Sequence, residues 1–357
     1  MAKTTPILLS TLALALTNAQ SGFEALTLDD AHALANELEA WKATPAGQAA
    51  ATLGLLPTPS KLESTEVEVS ELERFFAAKE AVARLQREQP SAIFSIATPF
   101  ALLTADEFKA TVARSFEQSK RLREDMQVET RQLQAIGKNS VDWTTHKCLP
   151  EVRNQGKCGS CYAFAAVAVA EFAHCLATGE KVDVAVQQLV SCDYRSGGGC
   201  DGGSANAAMD TLSRMPMCLA ADYPYTSGTT KVNGECKSSA CPTKKQLKIG
   251  SAVRTFGENN LVASLQLRPT AVTVEAGNDA WRFYKGGVVT SCPGKRSDHA
   301  VLAVAYGTEN GTAYYKIKNS WGPNWGDNGY IKLQRNAPNT SSGMCNVGEG
   351  PMYHRLR

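Results

Sequence analysis

Residues 155–164 read Gln155-Gly156-Lys157-Cys158-Gly159-Ser160-Cys161-Tyr162-Ala163-Phe164 and open an apolar run that continues to about Leu176. A run of that length and composition predicts a buried helix. A thiol at its first turn sits where unpaired backbone N–H groups and the positive end of the helix dipole favour the thiolate, so the pKa of Cys161 is expected to fall. Gly159 and Ser160 are small enough for a substrate backbone to approach the sulfur. Gln155, six residues upstream, offers an amide as an oxyanion donor. The pattern is that of a nucleophile site. Taken alone, Cys158 and Cys161 also fit a redox pair or half of a zinc site, and buried cysteines are often packing.

The rest of the composition narrows the field. The 357 residues carry a formal net charge of +2, which argues against a nucleic-acid partner. Lys3, the apolar run 7–16 and Ala19 have the layout of a secretory signal at residues 1–19. No later run is expected to reach the ~18 apolar residues of a membrane span. All eleven cysteines lie beyond residue 147, so a cysteine-free first third precedes a part suited to an oxidising compartment. The odd count leaves one thiol over. Asn310-Gly311-Thr312 and Asn339-Thr340-Ser341 are glycosylation sequons.

Within residues 20–138, Thr27 and Asp30 predict a capped helix through Ala31, Leu34, Leu38 and Trp41. Residues 43–60 contain Pro45, Gly47, Gly54, Pro57 and Pro59 and predict a loop. A second helix is expected over 69–89 and a short strand within 91–98. Thr104 and Glu107 predict a capping box for a third helix through Phe108, Val112 and Phe116. Residues 118–138 are polar and loosely patterned, as in a removable connector. In the cysteine-rich part, a short helix is expected at 186–190, and the glycines of 196–203 would let an extended peptide lie close.

From Ala271 onward the pattern is strand-like, over 271–274, 287–289, 299–306 and 313–318. Asn310-Gly311 predicts a hairpin, and folding about residues 307–312 sets positions summing to about 619 opposite one another. His299 and Asn319 then sit nearly face to face, where an amide oxygen could fix the imidazole tautomer. Of the five histidines, His299 alone has such a partner; His32, His146, His174 and His354 do not.

Three motifs in this order, Asn154–Cys161, Ser297-Asp298-His299-Ala300-Val301 and Lys318-Asn319-Ser320-Trp321-Gly322 with Trp325-Gly326 behind it, resemble those of papain-like cysteine proteases of the cathepsin L type. The resemblance covers residues 139–357. It implies an α+β, two-lobed fold, with a helical left lobe, an antiparallel, barrel-like right lobe and a cleft between them. A mainly helical inhibitory prodomain at residues 20–138 would precede it. It assigns Cys161 as nucleophile, His299 as general acid and base, Asn319 as its orienting residue, and Gln155 with the Cys161 N–H as the oxyanion hole. It places Gly159, Gly202, Gly203, Ser204, Ala205, Thr273, Ser297, Asp298, Trp321 and Gly350 along the substrate. It pairs Cys158 with Cys200, Cys192 with Cys236, Cys292 with Cys345 and Cys218 with Cys241, leaving Cys148 with Cys175. The specificity pocket is expected to be roomy and uncharged at Gly350, taking Leu or Phe, with Glu349 adjacent.

By the same resemblance the protein is a secreted or lysosomal/vacuolar endopeptidase, made as a zymogen and monomeric. No cofactor or metal is implied. Its partners would be peptide and protein substrates, its own propeptide and cystatin-type inhibitors. Acid would release the propeptide by protonating carboxylates in charged stretches such as Leu122-Arg123-Glu124-Asp125. Departures from the family pattern include Tyr162 for Trp, Asp201 for Asn, and Ala78 and Ala81 for Phe and Asn. Two other readings remain at this point: a catalytically silent binding protein on the same fold, and a redox protein using Cys158 and Cys161.

Overall fold

A computed structural model describes residues 22–57, 64–113, 134, 137–294, 296–338, 340 and 342–355. The signal at 1–19, Phe116, the stretch Leu122–Asp125, and Asn339 and Ser341 of the second sequon lie outside the described residues.

Helix α1 (Leu28–Ala43) begins at Thr27, whose hydroxyl and backbone exchange hydrogen bonds with Asp30 in the expected capping box. Residues 43–60, read above as a loop, contain a second helix, α2 (Pro45–Thr52). Thr44 caps it and Pro45 occupies its first turn, where the missing N–H has no helical partner to lose. Proline there starts a helix rather than breaking one. Gly47 is needed because a Cβ would lie 2.4 Å from the Trp41 carbonyl. Helix α3 (Ser64–Glu88) starts earlier than expected, and the strand within 91–98 shortens to β1 (Ala92–Phe94). Helix α4 (Ala105–Ala113) carries the capping box, with Thr104 N–H donating to Glu107 and Glu107 N–H to Thr104.

The cysteine-rich part follows β2 (Val141–Asp142) and has two lobes. One is helical, built on α5 (Cys161–Thr178), α6 (Val186–Cys192) and α7 (Ala205–Arg214). A small ladder of β3 (Met217–Cys218) and β4 (Lys244–Lys245) flanks them. Every residue of α5 from Cys161 to Cys175 is buried. By length and composition α5 would suffice to cross a membrane, contrary to the expectation that no later run would, but here it is the axis of an apolar core. Gly179, at φ 76°, ends it in the left-handed conformation.

The other lobe is a sheet of β5 (Ala252–Arg254), β6 (Thr270–Val274), β7 (Tyr284–Val289), β8 (His299–Glu309), β9 (Thr312–Lys318), β10 (Tyr330–Gln334) and β11 (Met352–His354). Its order is β1-β7-β10-β9-β8-β6-β11-β5, with β2 on β8. The pairing is antiparallel except between β7 and β10. Asn310 and Gly311, at φ 49° and 81°, make the two-residue turn between β8 and β9. Paired positions there sum to 621, then to 620 beyond an irregularity between Ala303 and Ala305, rather than to 619.

Strand β1 brings the N-terminal part into the sheet edge, and the two share one apolar core. Phe75, Leu102 and Phe108 are continuous with Trp281, Val274 and Ile331. Gln89 caps the junction by accepting the Thr290 and Ser291 N–H groups, each at 3.0 Å.

Candidate active site

Helix α5 puts Cys161 at its first residue, fully buried at the contact between lobes. It is the free thiol among the described residues. Its sulfur accepts a hydrogen bond from the Ala300 N–H at 3.4 Å, which places it beside the start of β8 and the residue after His299. The first two residues of β8 therefore bring the imidazole and the sulfur into one site.

The His299 tautomer follows from two hydrogen bonds. Its Nε2 lies 2.8 Å from Asn319 Oδ1, and that same atom accepts the Ser320 N–H at 2.8 Å. An atom accepting from a backbone N–H is an oxygen, so His299 Nε2 carries the proton and Nδ1 holds the lone pair. Nδ1 is buried and makes no hydrogen bond to a described residue. It is the atom available to take a thiol proton. Asn319 lies just past the end of β9 and reaches His299 from there. Trp321 stacks on the imidazole at 4.8 Å and 25°, with Trp281 edge-on at 6.3 Å.

Gln155 is held at three points. Its Oε1 accepts from Ser320 Oγ at 2.7 Å, its Nε2 donates to the Cys158 carbonyl at 3.1 Å, and its carbonyl accepts from Tyr225 Oη at 2.8 Å. Tyr225 Oη also meets Ser160 Oγ at 2.7 Å, tying the residue before the thiol to the same frame. Ser320 and Tyr225 carried no sequence signal as site residues. Ser320 could have been found as the neighbour of Asn319; Tyr225 is 64 positions from Cys161 and could not.

Five disulfides join Cys148–Cys175, Cys158–Cys200, Cys192–Cys236, Cys218–Cys241 and Cys292–Cys345. With Cys158 bonded to Cys200, Cys158 and Cys161 are not a redox pair. Among the described residues no cluster of three or more His, Cys, Asp or Glu side chains is placed to hold a metal.

Most of the remaining expected residues are engaged in local structure. Gly159 donates to the Cys200 carbonyl, Gly203 bridges Gly197, and a Cβ on Gly203 would lie 2.8 Å from the Tyr162 ring. Tyr162 is thus a buried packing partner of the glycine loop. Ala205 begins α7 and the Ser204 hydroxyl caps that helix. Thr273 lies opposite Ala300 in the ladder. The Asp298 carboxylate is engaged by the backbone, accepting the Ala276 and Gly277 N–H groups at 2.7 and 3.0 Å. Burial pushes Asp298 up to about 6 despite those bonds. The floor near Gly350 is not uncharged as expected. A Cβ there would lie 3.0 Å from Arg254 Nε, and Glu349 accepts a short hydrogen bond from Ser297. Pairing of β5 with β11 brings Arg254 opposite Met352, a neighbourhood that chain distance hides.

The N-terminal part covers this site. Phe100 and Phe108 pack edge-on against Trp321 at 5.2 and 5.7 Å, on the tryptophan that also stacks on His299. Arg282 donates to the carbonyls of Phe100, Ala101 and Leu103. His299 is left with no exposure, and burial pushes it down to about 4 against the pull of Asn319. Burial in the covered state thus disfavours the imidazolium that would hold a thiolate.

A pH dependence follows with a definite sign. Between about 4 and 6.5 the unfolded chain holds a proton on residue 299 that the folded precursor lacks, so stability falls as pH falls through that window. His354, also pushed down to about 4 by burial, adds to this, and Asp298 opposes it. His174 is also pushed down by burial, and Glu73 and Glu171 are pushed up by it; through the two histidines driven to about 4, the melting temperature of a Cys161→Ala precursor is expected to drop between pH 6.5 and 4. His354→Gln should make the drop shallower, and a flat profile would contradict the assignment.

A model described as papain family cysteine protease matches residues 137–355, and the chain belongs to that family. Germination-specific cysteine protease 1 of Arabidopsis thaliana is 34% identical over 262 residues, which cover 72% of this chain and 69% of that protein. Chymopapain of Carica papaya is 37% identical over 215 residues, 60% of this chain and 59% of that protein. The proform of Amb a 11, a cysteine protease and major ragweed pollen allergen, superposes with a TM-score of 0.75 at 26% identity, over 91% of this chain and 95% of that one. A Carica candamarcensis cysteine protease in complex with E-64 gives 0.56 at 32% identity, over 62% and 99%. The protein is thus a papain-family cysteine protease in which a helical prodomain precedes an α+β catalytic fold.

Proposed function

We propose that this protein is an endopeptidase of the cathepsin L type, made as a zymogen, in which Cys161 attacks the peptide carbonyl and His299 moves the proton. The observation that carries the reading is the Ser320–Asn319–His299 chain of hydrogen bonds, which leaves Nδ1 unprotonated on the residue beside Ala300, whose N–H binds the thiol. In the uncovered enzyme Nδ1 takes the thiol proton, and the helix N-terminus and imidazolium together stabilise the thiolate. As the C–S bond forms, the carbonyl oxygen becomes an oxyanion and is held by the Gln155 amide and the Cys161 N–H. The imidazolium then protonates the leaving amine, giving a thioester. Water, deprotonated by the same nitrogen, cleaves the thioester and frees acid and thiol. Trp321 shields the His299–Asn319 bond from water.

The boundaries that suit this reading are residues 1–19 for the signal, 20–138 for the propeptide and 139–357 for the peptidase. The signal and the five disulfides support entry into the secretory pathway, towards either secretion or a lysosomal or vacuolar compartment. The free enzyme is taken as a monomer whose cleft admits protein substrates and cystatin-type inhibitors. With Glu349 tied to Ser297 beside Arg254, the specificity pocket favours Leu or Phe over Arg, which a substrate-library profile reads.

Gln155→Ala tests the reading directly. Losing one oxyanion donor is expected to lower kcat by about 10²–10³ with little change in KM. Ser320→Ala, which only frees the amide to rotate, should lower it less. If Gln155→Ala leaves kcat intact, the oxyanion is held elsewhere.

A further inference from the structure

Arg282 ends the helical turn Asp279–Arg282, one residue past the tryptophan that stands edge-on to His299. It is 6% exposed. Neighbours in the sheet lobe set the plane of its guanidinium: Nη1 donates to Asp279 Oδ1 at 3.5 Å, and Cζ lies 4.4 Å from the centroid of the Phe283 ring. The other edge of the fork, Nε and Nη2, meets the prodomain. Nε donates to the Phe100 carbonyl at 3.3 Å, and Nη2 donates to the carbonyls of Ala101, at 3.0 Å, and Leu103. The carbonyl between them, that of Leu102, is taken at 3.0 Å by Arg74 of the prodomain itself.

A guanidinium keeps its charge when buried, so its N–H groups must find acceptors there. On the Nε–Nη2 edge those acceptors are peptide carbonyls, and they belong to a segment that leaves if activation proceeds as proposed. The same segment lies on the wall of the catalytic histidine. Phe100, whose carbonyl Nε holds, packs its ring 5.2 Å from Trp321, and Trp321 stacks on the His299 imidazole at 4.8 Å. The precursor therefore holds a peptide main chain between Arg282 and the aromatic face of His299.

We propose that Arg282 is a substrate-binding residue on the leaving side of the cleft, where it donates to a main-chain carbonyl of the peptide that follows the scissile bond. The inference rests on the protease reading. In that reading His299 gives its proton to the leaving amine, so the residues attached to that nitrogen emerge past the imidazole and along Trp321. That is the space which Phe100–Leu103 fills in the precursor. Removing the segment uncovers donors whose direction is already fixed, and a peptide carbonyl is the acceptor they are placed to meet. Such recognition is of backbone, so it favours length on the leaving side over any particular side chain. A turn gathers three carbonyls on this guanidinium, whereas an extended peptide points successive carbonyls to opposite sides, so a substrate is expected to use one.

The experiment uses the activated enzyme and a series of internally quenched peptides with one common acyl side, a leaving side lengthened residue by residue, and a C-terminal amide. One step of the series is expected to raise kcat/KM about tenfold, the scale of one hydrogen bond to a charged group. The gain should fall on KM, because the bond is present before and during the chemical step. Replacing the carbonyl oxygen at that step by sulfur, a weaker acceptor that keeps the N–H, should remove most of the gain from wild type and needs no variant. Arg282→Gln should lose the step, and Arg282→Lys, which keeps the charge without the fork, should recover part of it. Each gain is a ratio within one enzyme form, so a smaller folded fraction cancels, and a merely structural role would lower all the peptides alike. A flat series on wild type, a step that survives Arg282→Gln, or a thioamide that changes nothing overturns the proposal. So does a step seen only when the peptides end in a free acid, which would make a carboxylate the ligand. A short acyl-aminocoumarin, with no peptide on the leaving side, separates the two readings. If no enzyme form cleaves it, the protease reading has failed and the subsite falls with it; if it is cleaved while the series is flat, the subsite alone is lost.

Discussion

Cys161→Ala is expected to leave a folded precursor that neither shortens nor hydrolyses peptides, with kcat reduced on the order of 10⁶, the scale seen when a covalent nucleophile is removed. The fold should tolerate the change. Cys161 is the free cysteine among the described residues, so no disulfide is lost, and alanine suits the first turn of a helix already rich in it. The sulfur accepts a weak bond from the Ala300 N–H, whose loss costs about 1 kcal/mol. Incubation with a thiol reductant at pH 4 and pH 7, following chain length and peptide hydrolysis together, is the measurement. A wild type that shortens to begin near Asn139 beside an inert, full-length mutant establishes self-processing through this thiol. Activity retained by the mutant would mean that another group attacks the carbonyl. A wild type as inert as the mutant would favour the silent binding reading.

Phe108→Ala is expected to have the second largest effect, by loosening the precursor. The ring is 1% exposed and lies against Phe100 at 5.2 Å and Trp321 at 5.7 Å. Truncating a buried Phe costs about 3–5 kcal/mol, and part of that falls on the internal packing of the prodomain. The remainder weakens the cover over His299, so latency at pH 7 should be lost about 10²-fold faster, with the Cys161 thiol alkylated correspondingly sooner. Phe108→Leu should restore most of the latency. If the alanine variant stays as slow as wild type, the cover is held through β1 and Arg282 instead.

The described ion pairs suggest a further route by which acid would release the propeptide. Leu122–Asp125 lies outside the described residues, and most of the ion pairs seen in the prodomain are internal to it. Arg74 binds Glu107 at 2.5 and 3.1 Å and Lys42 binds Glu71 at 2.6 Å, whereas Arg84–Asp279 at 2.9 Å crosses to the sheet lobe. Burial works against the Glu107 charge, but Arg74 and the Thr104 N–H outweigh it and hold the carboxyl below its ordinary value. Stability from that pair is present above the ordinary carboxylate range and is lost as pH falls below it. Acid would therefore loosen the fold of the prodomain, and its grip second.

The local signals in the chain were read correctly where their chemistry is local. The capping boxes of Thr27 and Thr104 and the Asn310-Gly311 turn depend on residues three or fewer apart, and all three are formed. Helix α2 was misread because Pro45 and Gly47 look like breakers until Thr44 is recognised as their cap. The hairpin arithmetic found the right pair of residues by a slightly wrong register, since no residue type announces the irregularity between Ala303 and Ala305. Arg254 and Tyr225 were missed for another reason. Each reaches the site through tertiary pairing, Arg254 by the β5–β11 ladder and Tyr225 by a hydroxyl that spans Gln155 and Ser160.

The strand that the prodomain lends to the sheet has a consequence for how substitutions in the peptidase are tolerated. Gly287 pairs with Ala92 at φ 66°, and a Cβ there would lie 2.3 Å from the Ser91 carbonyl. If residues 20–138 are removed on activation, as proposed, that crowding goes too, yet the glycine stays under the constraint because each molecule would first fold as the precursor. The finished enzyme thus carries, in one edge strand, the imprint of a neighbour it has already lost. Tolerance measured on the mature protein alone would overstate what the gene can accept at this position.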